Sequence, residues 1–390
     1  MITDRTHRHS HRTGARWRTL GALGTVAVVI SFGAAGPVQA APAQLIRPSL
    51  VATTPNMIPL DVSCTSQFFC LALSRSMSDF GGGVYSTVWN GSKVSSPTKI
   101  PGAGFTAEDD SGGLSEVSCA PANFCMAVGK SSASTTSYRW AHGGWREFSI
   151  PMPSPVVPAP SPSSISNQSD GWMSISCLAS SFCMAAGSDN DQVVTGTSEV
   201  EKSATTFMEW NGSKWGHAQS FQGVDIDNVS CSTSKFCVAV GSASAVWNGS
   251  HWRRVAVPGQ TVNPTTTANY TSISCVAGST CVAIGSSASR SAVITWSGNA
   301  WHVLAAPTYS SALYLDQIDC YSPSQCLTFD DIPGNQHERA VISEWNGSRW
   351  SSAAVSGELL DGPGVQWTSA NSDVVVDVSL NATTTQWLKG

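Results

Sequence analysis

Short apolar stretches recur along the chain and are cut by Gly, Asn, Ser and Pro; Val238-Ala239-Val240-Gly241 is one of them. Runs of this length, rich in β-branched residues and bounded by turn formers, predict strands. They belong to a larger repeated unit. It opens with a polar residue, a β-branched residue, usually Ser, and then Cys, as in Asp61-Val62-Ser63-Cys64 and Glu116-Val117-Ser118-Cys119. A second Cys follows after five residues, often preceded by Phe (Phe69, Phe124, Phe182, Phe236). Next come an apolar run to Gly, a run ending in Trp, a tight turn and usually a second Trp. Trp247-Asn248-Gly249-Ser250-His251-Trp252 has the full ending.

Asn-Gly between two strand-like runs is a strong hairpin signal, because a type I′ turn needs positive φ at both central residues. It recurs at Asn90-Gly91, Asn211-Gly212, Asn248-Gly249 and Asn346-Gly347, with Gly143-Gly144 and Gly298-Asn299 standing in elsewhere. A two-residue turn places Trp140/Trp145, Trp210/Trp215, Trp247/Trp252, Trp296/Trp301 and Trp345/Trp350 on one face as diagonal neighbours. Each unit then has four strands, A to D. These Trp residues are periodic, so they are read as packing between units. The Asn-Gly-Ser triplets have the form of glycosylation sequons and are read as turns.

All 12 cysteines fall into six pairs with five residues between members: Cys64/Cys70, Cys119/Cys125, Cys177/Cys183, Cys231/Cys237, Cys275/Cys281 and Cys320/Cys326. An even count at fixed spacing in an exported chain reads as local disulfides. Zinc would favour Cys-x-x-Cys or interleaved His, which the pairs lack. The first cysteines step by 55, 58, 54, 44 and 45 residues. Four-stranded units repeated in series at this spacing suggest a β-propeller.

A further step reaches Val365-Gln366-Trp367, then Asp373 and Val374-Val375-Val376, and the chain stops soon after Trp387. This reads as a decayed seventh repeat holding strands A, B and C only. Residues 44–52 form a spare strand at the other end. The expectation is an all-β, seven-bladed propeller of four-stranded antiparallel blades, its ring closed by that N-terminal strand in the last blade; six blades is the alternative. The blades fall at about 60–101, 115–151, 173–222, 227–258, 271–307, 316–356, and 364–390 with 44–52, in one domain over 41–390.

The chain resembles Cys-paired repeats of the type Ser-Cys-(five residues)-Cys-x-Ala-x-Gly followed by Trp-Asn-Gly-x-x-Trp, found in exported proteins of Gram-positive actinobacteria. The resemblance spans most of residues 60–390 and implies fold and export, with no assigned chemistry. Asp-box propellers, sialidases among them, are similar in outline only, since their defining Asp is absent from every repeat.

Residues 1–40 have the layout of a secretory signal peptide: five Arg by Arg18, an apolar stretch from Leu20 to Ala35, and small residues before a cut after Ala40. A membrane anchor is the rival reading, disfavoured by the short run and Gly21, Gly24 and Gly33. No other stretch is long and apolar enough to span a bilayer. Without this segment 16 basic and 25 acidic residues remain, a net charge of −9. That argues against a nucleic-acid binder and against docking on an anionic membrane.

In a propeller the A–B and C–D turns share one face, and the B–C and D–A loops the other. The first set hardly varies between repeats; the second varies in length and content, as loops that carry function do. The variable set holds Asp109 and Asp110, a Pro-rich stretch from Pro151 to Ser164, Trp172, Asp189 and Asp191 with Glu199 and Glu201, and Asp330 with Asp331. The carboxylates fit a surface for a basic partner, a Ca²⁺ site, or simply a solubilising rim. Trp172 is a sugar-stacking candidate, with Tyr270, Tyr309 and Tyr314 weaker ones. Asp61 and Glu116, each three residues before a first Cys, are placed near the channel mouth.

No catalytic motif stands out, and the paired cysteines leave no thiol nucleophile. The leading expectation is a secreted or envelope-associated monomeric binding propeller without a cofactor, engaging a glycan or protein. The alternatives are a glycan-cleaving enzyme using Asp61 and Glu116, and a structural envelope protein.

Overall fold

The computed structural model describes residues 49–76, 83–104, 113–130, 136–151, 164–166, 171–195, 198–222, 225–258, 268–276, 278–287, 290–308, 314–331, 341–354, 364–369, 372–378 and 384–389. All regular structure among them is β. Strand β1 (Ser49–Pro55) precedes the repeats. Module one holds β2 (Met57–Ser66), β3 (Phe69–Ser76), β4 (Gly83–Trp89) and β5 (Thr98–Gly104). Module two holds β6 (Gly113–Ala120), β7 (Phe124–Lys130), β8 (Thr136–Ala141) and β9 (Gly144–Ser149). After a short β10 (Ser164–Ser166), module three holds β11 (Gly171–Ala179), β12 (Phe182–Thr195), β13 (Ser198–Trp210) and β14 (Gln219–Gln222). Module four has β15 (Ile226–Thr233), β16 (Phe236–Gly241), β17 (Ser244–Trp247) and β18 (Trp252–Val255). Module five has β19 (Asn269–Val276), β20 (Thr280–Ser287), β21 (Arg290–Ser297) and β22 (Ala300–Leu304); module six has β23 (Tyr314–Ser322), β24 (Gln325–Asp331), β25 (Val341–Trp345) and β26 (Trp350–Ala354). The last strands are β27 (Gly364–Ser369), β28 (Ser372–Val378) and β29 (Thr384–Lys389).

Hydrogen bonding groups these strands into six sheets, the number of the six-blade alternative and not the seven expected. Five sheets have four strands and one has nine. The larger one arises because a single bridge, Gly171 opposite Lys130, joins modules two and three. The order β1-β29-β28-β27 brings both ends of the described chain into one sheet. The N-terminal strand starts at Ser49, and residues 44–48 lie outside the described set. Each first strand touches the first strand of the next module, and the series β2, β6, β11, β15, β19, β23, β27 returns to β2.

The apolar core lies between neighbouring modules. Phe182, Met184 and Phe207 of module three pack on Ile226, Val229, Trp247 and Trp252 of module four. Val238 and Val240 of module four pack on Tyr270, Ile273 and Trp296 of module five. A sheet buried on both faces has apolar residues at successive positions, so the B strands read as unbroken runs.

Every Cys pair is a disulfide inside its own module: Cys64–Cys70, Cys119–Cys125, Cys177–Cys183, Cys231–Cys237, Cys275–Cys281 and Cys320–Cys326. The two cysteines sit directly opposite in register on strands A and B, as Cys231 and Cys237 do. The second member of each pair, Cys70, Cys125, Cys183, Cys237, Cys281 or Cys326, is completely buried. It lies on the B strand, which has a neighbour on either side in its sheet. Cys125, for example, packs with Leu71 and Tyr138, and Cys281 with Val238 and Trp296.

The Trp pairs are also directly opposite, not diagonal: Trp140–Trp145, Trp247–Trp252, Trp296–Trp301 and Trp345–Trp350 are register partners. At Trp247–Trp252 and Trp345–Trp350 the Asn-Gly turns account for the difference. Only Gly91, Gly212, Gly249 and Gly347 take positive φ there, so the turn is not type I′. The Asn side chain closes a four-residue loop. Asn248 Oδ1 accepts the N–H groups of Ser250 and His251 and the Ser250 hydroxyl, at 3.0, 3.0 and 2.9 Å. Asn90, Asn211 and Asn346 repeat the arrangement. Two-residue turns with both φ positive occur where Asn-Gly is missing, at His142-Gly143 and Gly298-Asn299.

Candidate functional site

Apart from the Gly171–Lys130 bridge, the first strands have no sheet partner on their inner edge among the described residues, so their N–H groups need acceptors. The polar residues before the first Cys supply them across the gap to the next module. Ser63, Ser118, Ser176, Ser230 and Ser274 accept the N–H of Cys119, Cys177, Cys231, Cys275 and Cys320, at 2.8 to 3.0 Å. A second tier lies two residues earlier. Asp61 Oδ2 accepts Val117 N–H at 2.7 Å, Glu116 Oε1 accepts Ile175 N–H at 3.3 Å, Ser174 Oγ accepts Val229 N–H at 3.0 Å, and Ser272 Oγ accepts Ile318 N–H at 3.1 Å. The Ser-Cys pairing in the sequence is thus an edge cap as well as a disulfide signal. Its recurrence was visible; its purpose needed the knowledge that the strand before it is an inner edge.

All of these acceptors but Ser174 line a polar cavity of about 210 Å³, with Asn228, Gln317 and Asp319 also in its wall. Burial pushes Asp61 up to about 7, against the lowering effect of the Val117 and Val62 N–H groups. Burial and the charge of Asp61 raise Glu116 well above the usual range, against the Ser174 hydroxyl and Ile175 N–H. Buried carboxyls raised in this way suit proton transfer in principle. Here both make the intermodule step that Ser174 and Ser272 make with a hydroxyl, which is a scaffold role.

A bulge falls just before the second-tier position in each of the six Cys-bearing modules, for example between Ile226 and Asn228. Opposite it, in most of them, stands the Gly that ends the B-strand run. A Cβ on Gly241 would collide with the Asp225 carbonyl and lie 2.7 Å from Ile226 Cα, and Gly129 and Gly285 are equally hemmed in. The corresponding residues of modules one and six are Ser74 and Asp330, both buried. Each leaves an oxygen without a hydrogen-bond partner among the described residues, Ser74 Oγ and Asp330 Oδ1. Asp330 Oδ2 accepts the hydroxyls of Thr328 and Ser343 at 2.9 and 2.7 Å. Burial, aided by Asp316, pushes its acid up to about 7.

The remaining expected site residues do not gather at one place. Asp109, Asp110 and Tyr309 lie outside the described residues. Trp172 is only 1 % exposed and sits in the core between modules two and three with Met126, Ile175 and Trp210, so its ring offers no face to a sugar. The residue belongs to β11 and not to the loop before it, which is why its break from the Trp period misled. Tyr270 is buried too, and its hydroxyl donates to the Pro258 carbonyl at 3.3 Å. Asp330 is interior, not on a loop face. Asp331 and Tyr314 face each other in register. The cysteines form the six expected disulfides, and Cys70, Cys125, Cys183, Cys237, Cys281 and Cys326 are interior.

Asp189 and Asp191 lie on a strand, not in a loop. β12 and β13 stay paired from Cys183–Trp210 to Thr195–Ser198 without a register shift. Beyond Ser188–Thr205 this hairpin carries seven further pairs, from Asp189–Ala204 to Thr195–Ser198. β10 adds to its β12 side at Gln192, Val193 and Val194. β14 covers β13 only from Ala204 to Phe207. In module four only residues 242 and 243 separate the corresponding strands. Among the described residues, no three of His, Cys, Asp and Glu gather to hold a metal ion, and no helix is long and apolar enough to cross a membrane.

No family model matches the chain, and no curated protein matches it. Solved structures do. One is described as YCF48 bound to D1 peptide, at 11 % identity and a TM-score of 0.36, covering 88 % of this chain and 83 % of that one. Another is the six-bladed β-propeller lectin of Aleuria aurantia, described with a fucose recognition mode, at 10 % identity and a TM-score of 0.39, covering 85 % and 91 %. At these values the likeness extends to neither ligand nor activity. The chain is similar in outline to β-propellers.

Proposed function

We propose that the protein is a secreted, monomeric, non-catalytic binding propeller of the cell envelope or its exterior, whose variable face engages a glycan or a protein. The observation that carries this reading is the long β12–β13 hairpin. Ring stability does not call for it, since module four connects the same two strands with two residues. Secretion is supported by the Arg-rich leader with its apolar stretch, and by six disulfides, which persist in oxidising compartments. A ring of seven modules is supported by the seven first strands in cyclic contact. It is supported too by the Ser118–Cys177 bond, which separates modules two and three as the others are separated.

The test compares the intact protein with a variant in which residues 190–203 are replaced by Asn-Gly, on a glycan array and by cross-linking to envelope proteins. Loss of the wild-type ligand with an unchanged melting temperature is the expected result. Turnover of chromogenic glycosides abolished by Asp61→Asn or Glu116→Gln would overturn the non-catalytic reading.

A further inference from the structure

The β12–β13 hairpin has an unusual edge. β14 stops opposite Ala204, and beyond it Ser198–Ser203 of β13 have no strand on their outer side among the described residues. Six residues of edge extend about 20 Å. The other side of the hairpin is partly closed by β10. An open edge is a row of backbone donors and acceptors, complementary to another extended backbone. Charge selects among such partners. Asp189, Asp191, Glu199 and Glu201 stand on this hairpin against one base, Lys202. The register places Asp191 opposite Lys202 and Glu201 opposite Gln192, and the hairpin sequence carries four acids to one base. A second copy would bring the same excess against itself, since the chain without residues 1–40 carries −9.

We propose that the outer edge of β13 over Ser198–Ser203 accepts an extended, basic peptide segment of another protein as an added β-strand. The added strand continues the line of β14 and supplies the backbone partners that β14 stops short of giving. Lys or Arg residues on the added strand answer the surplus of acidic positions on the hairpin, which sets on-rate and salt dependence, while the backbone ladder holds the complex. The proposal rests on the binding-propeller reading and narrows it to one partner class.

The experiment titrates the intact, disulfide-bonded protein with an end-capped eight-residue peptide alternating Lys and Val, read by calorimetry and by amide hydrogen exchange. The expected result is saturable binding with exchange slowed at 198–203. The same peptide N-methylated at alternate residues keeps its charge and loses half its donors; it should bind more than ten-fold weaker. Glu199→Gln with Glu201→Gln should weaken binding at least three-fold and flatten its salt dependence. The shortened variant lacking 190–203 should not bind. Equal binding of the N-methylated peptide, or slowed exchange confined to other strands, overturns the proposal. A glycan hit without peptide binding overturns it too, yet leaves the binding-propeller reading standing. Binding of every ligand undiminished by the shortened hairpin overturns both.

Discussion

Single residues in this protein are constrained mostly by what their neighbours in the next module need. Trp145, Trp215 and Trp301 donate their indole N–H to Ser86, Ser137 and Ser244 of another module, each at 2.9 Å. Trp301→Phe should keep the fold and cost about 1 kcal/mol, the net worth of one hydrogen bond, read from urea midpoints. Ser118→Ala removes the acceptor for Cys177 N–H and should cost about 1–3 kcal/mol, because a buried donor is left unpaired. Asp330 gives a pH effect of defined sign. Its folded value, about 7, lies above the ordinary 3.8, so the folded state holds the proton more tightly. Its stabilising contribution is complete below about pH 4 and is lost as pH rises through 7; Asp61 acts in the same direction. Melting temperature should therefore fall between pH 4.5 and 7.5, and Asp330→Asn should flatten that slope. A wild-type profile that rises over this interval would contradict the burial of both acids.

At the scale of elements, the recurring module is a disulfide-stapled hairpin followed by a Trp-paired hairpin. The A–B staple closes a loop of seven residues, worth roughly 2 kcal/mol on the chain-entropy account. Replacing Cys231 and Cys237 together by Ser should lower stability by at least that amount without changing the sheet, measured by denaturant unfolding. The strands, the Cys pairing and the Gly-bearing C–D turns were all legible in the sequence, because each depends on residues only a few positions apart. The complete burial of Cys70, Cys125, Cys281 and Cys326 was not, because it is set by side chains of adjoining strands and modules. Nor was the turn type. Asn-Gly alone suits a two-residue type I′ turn, but the Ser two positions after Asn and the polar residue after it turn the Asn carbonyl inward, giving the wider loop. Trp172 was misplaced because its burial depends on module two, whose Met126 and Val128 lie more than forty residues upstream.

For the whole molecule, closure depends on the N-terminal strand. β1 pairs antiparallel with β29, and β29 with β28. Deleting residues 49–55 should destabilise the protein about as much as deleting 384–389, since either leaves the sheet of β27 to β29 incomplete; a harmless N-terminal deletion in thermal unfolding would contradict this closure. The sequence by itself determined the all-β module, its number of copies with cysteines, the six local disulfides and the surplus of a strand at one end to match a deficit at the other. These follow from alternation, turn chemistry and spacing, which act within a few residues. Only the tertiary structure decided that modules two and three share a sheet, that the serines before cysteine cap the inner edges, that Trp172 and Asp330 are interior, and that the acidic segment of module three is a paired hairpin with an open edge. Each of those is fixed by contact between segments distant in the chain, where burial and unmet backbone hydrogen bonds, not local propensity, set the outcome.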